Sequence, residues 1–260
     1  MLAATTDLQP RPRNGLTLAL GLAGTLGILG GVLLVGAAAE RTQWQAVALG
    51  VEHRVLESPG LQADLIRFDL ERFDVTVEVP KAPLTAAAAV QAYEARAAIN
   101  GGFFDPQWRP LGLRITHGQA RVGLRPHVDW GVLLARPAHA QIVHSREYQA
   151  STDHEAAIQV GPRLLVDGKP TKLKPQLAYR SAVAVDGSGR FLTLVSTAVA
   201  VDANTLARAL QKVGSFKAAM LLDGGPSAQI FAQAGNLHID RPGLYAVPDL
   251  LLIKNRPARH

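Results

Sequence analysis

An apolar run in the last third of the chain stops abruptly at polar and small residues. Residues 218–222 carry no charge, and residues 223–227 that follow read Asp-Gly-Gly-Pro-Ser. A continuous apolar run is typical of a strand covered on both faces, and paired glycines permit a tight turn after it. The pattern predicts a buried strand that delivers Asp223 to a turn. That turn is either a functional site or an ordinary connection between two secondary-structure elements.

A second strand end of the same kind lies earlier in the chain. The apolar residues 97–99 run into Asn100, Gly101 and Gly102, followed by two phenylalanines and then Asp105. Asn100 can donate and accept hydrogen bonds, an aromatic ring can form an apolar wall, and Asp105 can accept a proton or hold a hydroxyl group. An Asn-Gly turn beside core phenylalanines is the alternative. Two such strand ends can share one pocket.

The rest of the pattern predicts the fold class. Residues 73–79 alternate as a half-buried strand does, and residues 179–196 form a hairpin around a glycine-containing turn. Two helices are predicted. Thr85 caps one that runs to about Arg96, and Asp202 or Asn204 caps another that ends at Gly214. We therefore predict one α+β domain over residues 40–260, with mixed, largely antiparallel sheets and a few packed helices.

Arg180 stands directly before the first strand of that hairpin. An arginine at such a strand start either pairs with a carboxylate at the sheet edge or grips an anionic ligand with its planar guanidinium group. Both interpretations stay open from the sequence.

The N-terminus predicts a membrane segment. Residues 16–39 contain no charged residue, and the segment is long enough for one helix across a bilayer. Arg11 and Arg13 precede it. The positive-inside bias keeps residues 1–15 in the cytoplasm and places residues 40–260 outside it, at the inner membrane of the cell envelope. Three alanines before Glu40 resemble a cleavage site, so the segment is a signal anchor or a signal peptide. Cleavage would yield a secreted, periplasmic or extracellular protein.

Composition excludes several classes of function. The 260 residues include no cysteine, which removes disulfides and thiolate chemistry. The formal charge of +6 is spread thinly and only 5% of residues are aromatic, so a nucleic-acid partner is not expected. No cofactor is predicted. A divalent metal at Asp223, Asp105 or Asp186 is possible, but no ligand spacing requires one. The oligomeric state does not follow from the sequence.

Four motifs in order resemble one known family. They are Asn-Gly-Gly-Phe-Phe from residue 100, Gly-Pro-Arg-Leu-Leu from 161, Arg-Ser-Ala-Val-Ala-Val from 180 and Leu-Asp-Gly-Gly-Pro-Ser from 222. The chain is similar in these motifs to the phosphodiester glycosidase family. The resemblance implies a substrate-binding role for matching positions, which are Asn100, Gly101, Gly102, Phe103, Gly224, Gly225 and Ser227. Pro226 departs from it, because many members have a third glycine there.

The resemblance also implies a hydrolase that cleaves the C–O bond of a sugar-1-phosphodiester. A carboxylate can stabilise the oxocarbenium-like transition state, attack it or activate water, and Asp223 and Asp105 are the candidates. Arg180 matches the family's motif arginine and suits the phosphate. The expected substrate is a phosphate-containing envelope glycan, such as an exopolysaccharide. A non-catalytic module that binds phosphorylated glycans, and a glycoside hydrolase or phosphodiesterase of other bond specificity, are the alternatives.

Overall fold

The computed structural model describes residues 43–257. The predicted segments 1–15 and 16–39 lie outside these residues. Between residues 43 and 257, no helix is long and apolar enough to cross a membrane.

Twenty strands and two α-helices make up this part of the chain. The strands are β1 (Gln45–Ala48), β2 (Val51–Ser58), β3 (Leu61–Asp69), β4 (Phe73–Glu78), β5 (Ala97–Asn100), β6 (Arg114–Thr116), β7 (Gln119–Val122), β8 (Gly131–Arg136), β9 (His139–His144), β10 (Ala156–Val160), β11 (Arg163–Val166), β12 (Lys169–Pro170), β13 (Leu177–Ala178), β14 (Ser181–Asp186), β15 (Phe191–Thr197), β16 (Val201–Asp202), β17 (Phe216–Leu221), β18 (Ile230–Ala234), β19 (Leu237–Arg241) and β20 (Leu250–Asn255). The helices are α1 (Ala86–Ala92) and α2 (Ala203–Val213), and Ser145–Glu147 and Gly225–Ser227 form short 3-10 turns.

The strands form four sheets. The largest has eight strands in the order β1-β2-β3-β15-β14-β17-β11-β12. Two five-stranded sheets have the orders β7-β6-β10-β8-β9 and β19-β18-β5-β20-β4, and β13 pairs with β16. The two strands that carry the predicted site residues therefore lie in different sheets, β5 in a five-stranded sheet and β17 in the eight-stranded one.

The main core lies between the sheets. Leu194 of the large sheet, Ile99 of the β5 sheet and Leu133 of the β8 sheet belong to one buried apolar cluster. The two helices cover the outer faces. Leu206 and its neighbours on α2 pack on the large sheet, and Ala89 of α1 packs on the β5 sheet. This arrangement buries both faces of the central strands, which is why they read as continuous apolar runs.

The prediction of an α+β fold with mixed sheets is wrong, because the fold is mostly β. Strands hold 48% of the described residues and helices 11%. Every strand pairing between residues 43 and 257 is antiparallel. The first predicted helix is shorter than expected, since it ends after Ala92 and Glu94 adopts a positive φ of 53°. Residues 230–241, for which no strand is predicted, form the β18–β19 hairpin.

Candidate active site

The two glycine-rich strand ends meet in space. The Asp223 backbone N–H donates to the Gly101 carbonyl oxygen at 3.0 Å, and the Asn100 Nδ2 donates to the Asp223 carbonyl oxygen at 2.8 Å. Asn100 is fully buried, and its Oδ1 accepts from the Gln229 backbone N–H at 3.1 Å. The Asn100 side chain thus ties the end of β5 to the segment after β17. In this arrangement it positions the backbone around Asp223.

Asp223 lies partly buried at the start of the turn. Its Oδ1 accepts from the Gly224 backbone N–H at 3.0 Å. Burial raises the pKa of Asp223 above its ordinary value of 3.8, and the charge of Asp249 adds to the rise. The Ser227 side chain and the Gly224 N–H oppose this shift in pKa. A carboxyl group with a raised pKa in a polar turn is suited to proton transfer or to charge stabilisation.

Arg180 approaches the same turn. Its Nε donates to the Val201 carbonyl oxygen at 3.2 Å, and its Nη2 donates to the Gln176 carbonyl oxygen. A Cβ built on Gly224 would lie 3.9 Å from its Nη1, so the guanidinium group stands beside the turn. Within residues 43–257, no carboxylate forms an ion pair with Arg180. Burial lowers the pKa of Arg180, and the charge of Asp202 opposes that shift without an ion-pair contact. The Arg180 Nη1 beside Gly224 is therefore placed to receive an anion at the turn.

Gly224, Gly225 and Pro226 shape this turn. Gly225 has a positive φ of 59°, and its N–H donates to the Tyr179 carbonyl oxygen at 2.8 Å. A Cβ on Gly224 would lie 2.9 Å from the same oxygen. Both positions therefore require glycine to keep the turn close to the strand start that carries Arg180. Pro226 is exposed and its carbonyl oxygen accepts from the Leu244 N–H at 2.9 Å.

A second carboxylate lies behind the Gly101-Gly102 pair. Asp249 and Arg114 form an ion pair in which neither side chain is exposed. Burial raises the pKa of Asp249, while the Arg114 guanidinium opposes that rise. Loss of either charge would leave the other buried without a partner, which is strongly destabilising. Asp249 Oδ1 and Arg114 Nη2 have no hydrogen-bond partner in the described part of the chain.

The ion pair occupies the space above both glycines. A Cβ on Gly101 would lie 2.6 Å from the Asp249 carboxylate, and one on Gly102 would collide with the Arg114 guanidinium. The Gly101 N–H donates to the Asp249 carbonyl oxygen at 2.9 Å, and the Gly102 N–H to the Asp249 Oδ2 at 3.4 Å. The absence of side chains at these positions has a packing reason. The substrate-binding role of the two glycines stays a prediction.

Asp105 stabilises the loop that follows it through hydrogen bonds to its carboxylate. Its carboxylate accepts from the backbone N–H groups of Gln107 at 2.9 Å and Arg109 at 3.0 Å, and from the Arg109 Nε at 2.7 Å. The hydrogen bond from the Arg109 backbone is the largest cause that lowers the pKa of Asp105. Asp105 therefore stays ionised to lower pH than an ordinary aspartate. Phe103 packs edge-on against Trp130 at 5.0 Å between ring centres.

Sequence reasoning missed Arg114 and Asp249. A signal was present, because Arg114 interrupts an apolar strand between Leu113 and Ile115, and Asp249 stands directly before the apolar residues 250–253. Charged residues in such positions are rarely buried without a partner of opposite charge. Their partnership spans 135 positions in the sequence, so only the fold brings them together.

The described residues show no obvious metal site. No group of three or more His, Asp or Glu side chains between residues 43 and 257 is placed to hold an ion. Two cavities of about 310 and 280 Å³ lie elsewhere, one beside His139 and Arg163 and the other beside His53 and Asp64. The candidate site is instead an open turn at the sheet ends.

The comparisons with known proteins agree with the motifs. The family model "Phosphodiester glycosidase" matches residues 93–254. The uncharacterized protein YigE of Escherichia coli (strain K12) is 30% identical over 111 residues, which are 38% of this chain and 44% of YigE. The match thus spans less than half of that relative's length.

Two solved structures share the fold. The catalytic domain of zebrafish N-acetylglucosamine-1-phosphodiester alpha-N-acetylglucosaminidase, auto-inhibited by its pro-peptide, has a TM-score of 0.62 at 17% identity, over 82% of this chain and 88% of that one. A hypothetical protein from Synechocystis has a TM-score of 0.56 at 15% identity, over 79% of this chain and 62% of that one. At these identities the likeness concerns the fold. Because the family model matches more than half of its residues, this chain belongs to the phosphodiester glycosidase family.

Proposed function

We propose that the chain hydrolyses a sugar-1-phosphodiester by cleaving the bond between the anomeric carbon and the phosphate oxygen. The observation that carries the proposal is the position of the Arg180 guanidinium beside Gly224, the residue that follows Asp223. Family membership supports a glycosidase that acts on phosphodiester-linked sugars.

The roles follow from charge. The transition state carries positive charge at the anomeric carbon, and the departing phosphate carries negative charge. We assign Asp223 to the first charge and Arg180 to the second. Water supplies a hydroxyl group to the sugar and a proton to the phosphate monoester, so the products are a free sugar and that monoester. The leaving group is stable as an anion, so strong general-acid assistance is not required.

Asp105 is a weaker candidate for the reacting carboxylate. Both of its oxygens already accept hydrogen bonds, from the backbone N–H groups of Gln107 and Arg109 and from the Arg109 guanidinium. Asp249 is closed off behind Gly101 and paired with Arg114. Asp223 is thus the carboxylate we assign to the chemistry.

The test uses a sugar-1-phosphodiester in isotopically labelled water and quantifies the released free sugar and the phosphate monoester. We expect label in the released sugar, and loss of turnover by about a hundredfold or more in Asp223→Asn. Asp153→Asn, at an exposed aspartate, is the matched control and should keep full activity. Label in the phosphate would instead identify a phosphodiesterase. Binding without release of sugar by the unaltered protein would identify a non-catalytic glycan-binding module.

We also propose that the domain works outside the cytoplasm on a phosphate-containing envelope glycan, held to the membrane by residues 16–39. The uncharged segment and the arginines before it support this location. Fractionation of cells that express the full chain, with protease added to spheroplasts, tests it. Protection of the domain from protease would exclude this location, and a mature N-terminus near Glu40 would show that the segment is a cleaved signal peptide.

A further inference from the structure

Three aromatic rings form an exposed cluster beside the Asp223 turn. Phe104 and Trp108 are stacked at 5.0 Å between ring centres, and Tyr245 meets Trp108 edge-on at 5.4 Å. The large aromatic side chains of Trp108 and Tyr245 are 41% and 39% exposed, respectively. We call these three residues the aromatic platform.

The loop that carries Trp108 is built to hold the ring in place. Trp108 has a positive φ of 61°, a region that bulky residues seldom adopt unless their surroundings impose it. Here the Trp108 N–H donates to the Asp105 carbonyl oxygen at 2.9 Å, and the Asp105 carboxylate clamps Arg109 on the other side. The hydrogen bonds of Asp105 thus fix the backbone at Trp108 in a conformation that leaves the indole ring partly exposed to solvent.

The platform contacts the turn that carries the reacting carboxylate. The Tyr245 Oη lies 3.2 Å from the Ser227 Oγ, and Ser227 is the last residue of the turn that begins at Asp223. The Ser227 side chain also acts on the Asp223 carboxyl group, whose pKa it lowers. The platform therefore adjoins the Asp223 turn.

Arg180 and the platform approach the turn at different residues. Arg180 stands beside Gly224, whereas Tyr245 contacts Ser227, three residues further on. If Arg180 holds the phosphate, the opposite end of the turn receives the sugar whose anomeric carbon faces Asp223. Pyranose rings present a face of C–H groups that packs on aromatic rings, while their hydroxyl groups bond to polar tips such as the Tyr245 hydroxyl.

We propose that the aromatic platform binds the pyranose ring of the sugar that is cleaved, by stacking it on Trp108. The proposal rests on the proposed function for the direction of the substrate. It assigns Trp108 and Tyr245 as sugar-binding residues and Asp105 as a positioning residue for Trp108.

The experiment measures binding apart from catalysis. Neutral methyl pyranosides, including the glucoside, the mannoside and the N-acetylglucosaminide, are titrated into Asp223→Asn protein, and binding is followed by ligand-observed NMR. We expect at least one pyranoside to bind, and Trp108→Ala to weaken that binding by about tenfold or more. Trp108→Phe keeps an aromatic face and should retain most of the affinity. Leu49→Ala, at a 74% exposed residue of the β1–β2 turn, is the control and should change nothing.

Inorganic phosphate separates this proposal from the proposed function. Phosphate binding should weaken in Arg180→Gln and stay unchanged in Trp108→Ala. Pyranoside binding that depends on Trp108 would support the platform even if no phosphodiester is hydrolysed. The proposal is overturned if no pyranoside binds, or if binding is equal in Trp108→Ala and the control. A loss of self-association in Trp108→Ala without any effect on sugars would also overturn it, since the platform would then contact a second copy of the chain.

Discussion

Gly101→Ala tests why the chain places two glycines after Asn100. A methyl group at Gly101 would stand 2.6 Å from the Cγ and Oδ1 of Asp249 and 2.7 Å from its Oδ2. These atoms are not the free end of a flexible side chain. Asp249 is fully buried and held by Arg114, which is itself fully buried.

The size of the effect follows from what has to move. Overpacking a filled core costs about 1–3 kcal/mol, and disturbing a buried ion pair costs about 3–5 kcal/mol when one partner is lost. Because the alanine displaces the pair without removing it, we expect a loss of about 3 kcal/mol in the free energy of unfolding. For a domain of this size that corresponds to a fall of about 1 M in the urea midpoint.

Urea unfolding, followed by tryptophan fluorescence, measures this loss. The unaltered domain of residues 43–257 is compared with Gly101→Ala and with the matched control Gly123→Ala. Gly123 is exposed, has no positive φ, and nothing lies within 4 Å of a Cβ built there. The control should unfold within about 0.5 kcal/mol of the unaltered protein.

Equal midpoints for Gly101→Ala and Gly123→Ala would refute the packing argument. Gly101 would then be open to a ligand, and the variant should lose substrate binding while it keeps its stability. Reduced stability with unaltered binding after refolding at low temperature would instead confirm that the glycine serves the Asp249–Arg114 pair.

Three further substitutions test the site and the helix that packs behind it. Folding raises the pKa of Asp223, so the ionised carboxylate is disfavoured in the native state and stability falls as pH rises above 3.8. Asp223→Asn should therefore be more stable than the unaltered protein at neutral pH, and the difference should vanish below pH 3.8 in urea titrations. Asp202 accepts from the N–H groups of Gln176 at 2.9 Å and Asn204 at 3.0 Å, so Asp202→Ala should cost about 1–2 kcal/mol. The hydrogen bond from the Gln176 N–H is the largest cause that lowers the pKa of Asp202. The stability that the Asp202 carboxylate contributes is therefore present above pH 3.8 and is lost as pH falls through the lower native pKa. A loss of stability in Asp202→Ala that does not change with pH would contradict this role. Leu206 is a fully buried residue of α2, so Leu206→Ala should lower the free energy of unfolding by about 3 kcal/mol and the melting temperature with it. Leu49→Ala, at an exposed residue, is the control. Equal melting temperatures for the two variants would show that α2 is not packed as described.

Local sequence signals predicted several elements correctly. Asp202 caps α2, Gly214 ends it in the left-handed conformation with a φ of 83°, and Thr85 caps α1. The hairpin of β14 and β15 also forms as predicted. Each of these depends on residues close together in the chain, where turn chemistry, capping groups and periodicity act directly.

The fold class could not be predicted in the same way, because the balance of strand and helix depended on distant partners. Residues 230–234, for which no strand is predicted, become β18 between β5 and β19, and the paired residues of β5 lie more than 130 positions earlier in the chain. A short segment without strong alternation carries little local preference, so its conformation is decided by the sheet edge that receives it. The same limit concealed how much of the chain is β.

The candidate site divides along the same line. The residues from 97 to 102 and from 218 to 227 contain enough local information to predict two strand ends, each with a polar residue and two glycines. Their meeting, the approach of Arg180 to Gly224 and the contact of Tyr245 with Ser227 come from the tertiary structure. So does the ion pair of Arg114 and Asp249, which explains the glycines at 101 and 102. Turns and helix caps are determined by neighbours in the chain, whereas strand pairing, burial and electrostatic pairing are determined by neighbours in space.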